Sequence, residues 1–136
     1  MPVFGKASLK ELSECDARLQ EIANEAIKYF DFSVLEGHRN ERDQNIAYAK
    51  GLSKLKWPFG NHNASPSRAM DLAPFPIDWS ETEKTRQRFV LLAGFILCIA
   101  AQKGIKLRWG GDWDNDFDTR DEGRFRDLPH FELLEP

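Results

Sequence analysis

Two histidines and an aspartate carry the chemistry this sequence could perform. His62 stands nine residues before Asp71 in "NHNASPSRAMDLAPFP", and His130 opens "HFELL" near the end of the chain. Neither helical periodicity nor turn composition requires the His62–Asp71 pairing. Imidazole nitrogen and carboxylate oxygen are usual zinc donors, and a hydrolytic site needs three protein ligands with one position open. Zinc lowers the pKa of a bound water toward about 7. A nearby carboxylate must then take that proton and pass it to the leaving group. Taken singly, each residue has an ordinary explanation: a surface histidine, or an aspartate that caps a turn or pairs with Arg68.

Positioning these groups falls to a small set of elements. "RAMDLA" (68–73) alternates as a strand, with Met70 and Leu72 on the core face and Ala69, Asp71 and Ala73 on the other. The two alanines leave open space around the Asp71 carboxylate. Proline then ends the ladder. Upstream, "SLKE" (8–11) fits a capping box with Ser8 as N-cap, and apolar spacing predicts one amphipathic helix to about Tyr29. "FSVLEG" (32–37) reads as a short strand. Asn40 caps a second helix that Gly51 ends, and a loop runs from about Leu52 to Ser67. "SETE" (80–83) is a second capping box, opening a long apolar helix closed by Gly104. "IKLRW" (105–109) and "HFELL" (130–134) complete the strands. Strands scattered among helices predict an α+β fold with a small, largely antiparallel sheet and flanking helices.

Composition bounds the rest. The chain of 136 residues is 41% hydrophobic and 30% charged, which predicts one globular domain over 1–136 with one core. A formal net charge of −3 gives no electrostatic footprint for nucleic acid. Cys15 and Cys98 both fall in apolar helical segments and read as buried free thiols. The apolar run "FVLLAGFILCIAA" (89–101) is shorter than the roughly 20 residues a membrane span needs. It reads as a core helix, so no stable membrane insertion is expected. The start "MPVFGKASLKEL" has no signal-peptide pattern, which predicts synthesis in the cytoplasm.

The ordered set "EGHRNERDQ" (36–44), "HNASPSRAMD" and "DLPHFEL" resembles the zinc D,D-carboxypeptidase and L-alanyl-D-glutamate peptidase family. That family includes VanX- and VanY-type enzymes and small phage endolysins. Its first motif joins a histidine to an Ala-x-Asp ending, here Ala69-Met70-Asp71. Its second places an acid before a histidine, here Asp127-Leu128-Pro129-His130. The resemblance implies a hedgehog/D,D-peptidase-like fold, with His62, Asp71 and His130 as ligands to Zn2+. It makes Asp127 the general base and acid; strand alternation offers Glu132, on His130's face, as the competing base. It makes Arg39 the donor to the developing oxyanion, against an ion pair with Glu36 or Asp43. Gln44 either holds substrate or faces solvent. His38 is expected to be exposed or hydrogen-bonded rather than a fourth ligand. Strict alternation would turn Asp127 and His130 to opposite faces, a conflict that a bend at Leu128-Pro129 removes. The sequence departs from many members at Ser67, where a glycine is usual, at Gly60, where a serine is usual, and in a His-to-Asp interval two residues longer. His38 stands where an aromatic residue is usual. The longer form is similar to the phage endolysin branch.

In "DWDNDFDTRDE" (112–122), Asp112, Asp114 and Asp116 match the first three ligand positions of an EF-hand. Phe117 then occupies the glycine position and Gly123 the terminal glutamate position, with Glu122 one place early. The loop is not an EF-hand. It is either a solvated acidic loop, partly neutralised by Arg120, Arg124 and Arg126, or a regulatory Ca2+ site.

The resemblance implies a monomeric zinc peptidase acting on peptidoglycan stem peptides. The phage-like form implies an L-alanyl-D-glutamate endopeptidase serving as an endolysin, released through holin-made lesions to reach the periplasm or cell wall. A D-alanyl-D-alanine carboxypeptidase or dipeptidase is the enzymatic alternative. A non-catalytic zinc-binding module is a second class, which has no need of Asp127. An interaction domain with incidental histidines is a third.

Overall fold

The computed structural model describes residues 1–120 and 126–136. Among the described residues four α-helices and four strands follow one another as α1 (Lys6–Ser13), α2 (Ala17–Ala26), β1 (Phe32–Glu36), α3 (Glu41–Ala49), β2 (Ala69–Pro74), α4 (Glu83–Gln102), β3 (Leu107–Gly110) and β4 (Asp127–Leu133), with a 3-10 turn at Asn61–Asn63 before β2. The strands form one antiparallel sheet in the order β1-β2-β4-β3. This is the α+β architecture expected.

Register divides the sheet into two faces. Val34 pairs with Leu72, while Met70, Phe131 and Trp109 lie in one row across β2, β4 and β3. All five are buried. Leu19 and Ile22 of α2 and Leu92 and Ile96 of α4 pack into the same cluster. Each such burial contributes about 1.5–3 kcal/mol. The opposite face carries Asp71 paired with His130, and Ala69 and Arg108 on either side of Glu132. Period-two alternation therefore sends the apolar residues into the core and collects the ionisable ones on the other side.

Helix ends depart from the sequence reading at three places. The expected single N-terminal helix is two, because Asp16 caps α2 by accepting from the Arg18 N–H at 2.9 Å. Ser8 is not a cap: it lies buried within α1, and its hydroxyl accepts from the Val34 N–H at 3.0 Å. Thr82, rather than Ser80, caps α4 through the Thr85 N–H. Asn40 does cap α3, and Gly51 and Gly104 adopt the positive φ that ends a helix. Both cysteines are free, but only Cys15 is buried. Burial pushes its thiol up to about 12. Cys98 is exposed because α4 buries one side only, leaving Val90 and Leu91 exposed as well. Among the described residues no helix is long and apolar enough to cross a membrane.

Candidate metal centre

His62, Asp71 and His130 converge. His62 Nε2 lies 3.1 Å from Asp71 Oδ1 and 3.3 Å from His130 Nδ1, and His130 Nδ1 lies 3.3 Å from Asp71 Oδ1. An ion about 2.0–2.1 Å from each donor in tetrahedral geometry sets the donors roughly 3.3 Å apart. The triangle has that size.

Tautomers make the same point. The Gly37 carbonyl can only accept, so the His62 Nδ1–H donates to it at 2.7 Å and Nε2 keeps its lone pair. The His130 Nε2–H donates to Glu132 Oε1 at 2.7 Å, which turns Nδ1 inward. Three acceptors then face one point, and a proton or a cation must bridge them. Burial alone would raise the Asp71 carboxyl, but the two imidazoles set against it hold it well below the usual carboxylate range. Burial works against charge on His130 too, yet the Asp71 and Glu132 carboxylates lift it to about 10. A divalent cation competes with that proton for the same nitrogen.

Each donor is fixed from behind. Asp71 and His130 are cross-strand partners. The His62 turn is stitched to the β1–α3 loop: the Arg39 N–H donates to the His62 carbonyl at 2.8 Å, and the Asn63 amide to the Arg39 carbonyl at 3.0 Å. Ser67, the residue in place of the usual glycine, sets its hydroxyl between two carbonyls, Ala69 at 2.6 Å and the same Gly37 that His62 uses at 3.1 Å. Its backbone bonds Glu14 and Asp16 at the α1–α2 junction.

Asp127 lines the same cleft, a cavity of about 300 Å³. The conflict of faces is removed by a bulge: Trp109 pairs with Phe131 but Gly110 pairs with Asp127, so residues 128–130 have no counterpart on β3. The Trp109 indole N–H pins the bulge by donating to the Leu128 carbonyl at 2.7 Å. Gly110 is required there, because a Cβ would sit 2.1 Å from the Asp127 carbonyl oxygen. The strand thus begins at Asp127, three residues before the expected start at His130. Burial, and then the Asp71 carboxylate, push the Asp127 carboxyl up to about 6.

Arg39 makes the ion pair with Glu36 that the sequence offered as the alternative to an oxyanion donor. Its guanidinium pairs with Glu36, donates to Gln44 Oε1 at 3.1 Å, and stands 3.9 Å from Asp71 Oδ2 while lining the cleft. Gln44 does not face solvent. It is 1% exposed, accepts from Arg39 and Asn63, and donates to Ser53 Oγ and the Leu55 carbonyl. His38 Nδ1 lies 3.0 Å from the Ala64 carbonyl, a hydrogen bond outside the triad.

Three participants were not legible as such. The sequence offers Glu132 as a competing base, but its carboxylate accepts from His130 Nε2 and, at 2.7 Å, from Arg108. Those partners hold it at about 2 against the opposing effect of burial. The His-x-Glu spacing signals a shared face; Arg108 is visible only once the β3–β4 register is known. Trp113 stacks near His130 at 5.5 Å, with the Arg108 guanidinium 5.6 Å from its ring. Carboxylates that orient a ligand histidine typically change metal affinity by about 10–100-fold. Glu132→Gln is therefore expected to weaken cation affinity by that factor, read by titration against a competing chelator.

In the acidic loop, carboxylate oxygens of Asp112, Asp114 and Asp116 lie within 4.8 Å of one another. Phe117 adopts φ 63°, the left-handed turn for which an EF-hand uses glycine. Glu122, Gly123 and Arg124 fall outside the described residues.

Known proteins of one family match the chain over nearly its whole length. Residues 2–134 match the family described as phage L-alanyl-D-glutamate peptidase. The L-alanyl-D-glutamate peptidase of Escherichia phage T5 is 32% identical over 124 residues, spanning 88% of this chain and 87% of that protein. The crystal structure of the Serratia marcescens L-Ala D-Glu endopeptidase ChiX shares the fold, with a TM-score of 0.73 over 96% of this chain and 90% of that one at 23% identity. With nearly the whole chain matched, the protein belongs to the phage L-alanyl-D-glutamate peptidase family.

Proposed function

We propose that the protein is a zinc-dependent endopeptidase that cuts the L-alanyl-D-glutamate bond of peptidoglycan stem peptides and serves as a phage endolysin. The observation that carries this reading is the three-way meeting of His62 Nε2, His130 Nδ1 and Asp71 Oδ1 at tetrahedral-edge distances, in a cleft shared with Asp127. Two imidazoles and one carboxylate suit zinc, whereas calcium takes oxygen ligands only. The Asp112–Asp116 group offers only oxygen, and any second cation there would be calcium.

When bound, zinc supplies Lewis acidity and a water activated near neutral pH. The remaining work belongs to side chains. Asp127 accepts the proton of the attacking water and returns it to the amine that leaves as the new D-glutamyl terminus. Arg39, held by Glu36 and Gln44, presents fixed positive charge to the oxygen that becomes anionic; loss of such a donor typically costs about 3–4 kcal/mol in the barrier. Glu132 keeps the His130 ring in the inward tautomer. A protein that only stored zinc would need neither Asp127 nor Arg39. Synthesis in the host cytoplasm followed by passage through holin lesions brings such an enzyme to the wall.

Digestion of purified peptidoglycan followed by mass spectrometry identifies the bond. New amino-terminal D-glutamate with new carboxy-terminal L-alanine is the expected result. Release of D-alanine would replace this reading with the carboxypeptidase alternative.

A further inference from the structure

We propose that a second hollow, on the far side of Asp127, holds the sugar to which the stem peptide is attached; this rests on the peptidoglycan reading above. The hollow, about 280 Å³, is walled by Trp79, Ser80, Arg86, Phe89 and Pro129 and meets the catalytic cleft at Asp127. Among the described residues, Asp127 is the one wall member common to both cavities. A chain crossing Asp127 has room on either side of its cut bond, as an endopeptidase requires.

The two hollows differ in chemistry. The catalytic cleft has Arg39, Lys54 and Arg108 in its walls, which suits the acidic D-glutamyl half. The second offers a flat aromatic floor. Trp79 is 59% exposed, yet its ring lies against buried Phe89 with centroids 5.8 Å apart and planes at 30°. The segment that carries it is held at both ends. The Arg88 guanidinium donates to the Pro76 carbonyl at 2.7 Å, and Asp78 accepts from the Ser80 N–H at 2.8 Å and the Thr85 hydroxyl at 3.2 Å. A backed, pre-positioned indole with a hydroxyl and a guanidinium at its rim fits a pyranose ring. The sugar's C–H face lies on the indole, while its hydroxyl and acetamido groups reach Ser80 and Arg86. In peptidoglycan the L-alanine before the cut bond is amide-linked to the lactyl ether of N-acetylmuramic acid. The sugar therefore follows within one residue of Asp127.

The test compares two substrates on the full chain: a disaccharide-linked stem peptide, and the same peptide without sugar. The wild type is expected to show the lower KM on the linked substrate. In Trp79→Ala the ratio of kcat/KM, linked over free, should fall by about five- to tenfold, chiefly through KM, and Trp79→Tyr should restore most of it. Saturation-transfer NMR with the peptide-free disaccharide should give contacts that Trp79→Ala loses. Equal losses on both substrates, or a wild type indifferent to the sugar, would overturn the subsite while leaving the peptidase reading intact. A wild type that cleaves neither substrate would overturn both.

Discussion

Asp127→Asn is expected to lower peptidoglycan hydrolysis by about 10²–10⁴-fold, the usual worth of a positioned general acid–base group, while zinc stays bound in stoichiometric amount. The substitution keeps the shape of the side chain, so the bulge held by Trp109 and the close approach of Gly110 persist. None of the three candidate ligands is touched. Metal analysis after dialysis, beside the rate on purified wall, separates the loss of chemistry from the loss of cation. The same residue sets a pH dependence. A base must be ionised to act, and burial with the Asp71 carboxylate raises Asp127 to about 6. A cation at the triad opposes that rise by attraction. The acid limb of kcat/KM should therefore lie at or below about pH 6, with activity falling as pH drops through it. A limb well above 7, or an asparagine variant of undiminished rate, would remove Asp127 from the mechanism.

His62→Ala should abolish both stoichiometric zinc and activity, and with them the stabilisation expected of a bound zinc ion. A ligand at a thousand times its dissociation constant adds about 4.1 kcal/mol to the folded state, which in a domain of this size raises Tm by about 10 °C or more. The wild type should show that rise and lose it to a chelator. The variant should melt at one temperature with or without zinc. The fold should survive the change, because the Gly37 carbonyl that loses its His62 donor keeps the Ser67 hydroxyl. The backbone bond from Arg39 to residue 62 is unaffected. Retention of a zinc-dependent shift in His62→Ala would place the cation elsewhere.

The sheet was readable because alternation along β2 and β4 is strict where both faces matter. Met70 and Leu72 must go inward, so Asp71 must go outward, and His130 with Glu132 obeys the same rule against Phe131 and Leu133. The break between α1 and α2 was hidden for the opposite reason. Leu12, Cys15 and Leu19 are all buried, so apolar spacing runs through the junction as if one helix continued. Only the Asp16 cap marks the stop. Gln44 lies on a short helix with little apolar character, and its burial comes from partners on the 52–55 loop that no local pattern announces. Arg108 and Trp113 likewise depend on register and on a loop's return path. Contacts made within an element leave a trace in its spacing; contacts between distant segments leave none.

Ser67 joins the helical pair at the amino end, bonded through its backbone, to the carbonyl that orients an imidazole in the cleft, reached through its hydroxyl. Loosening that pair would therefore disarm the enzyme before any sheet hydrogen bond breaks. Heat inactivation and release of the first two helices should share one midpoint, and crosslinks that staple those helices to the loop before β2 would prolong working life on the wall.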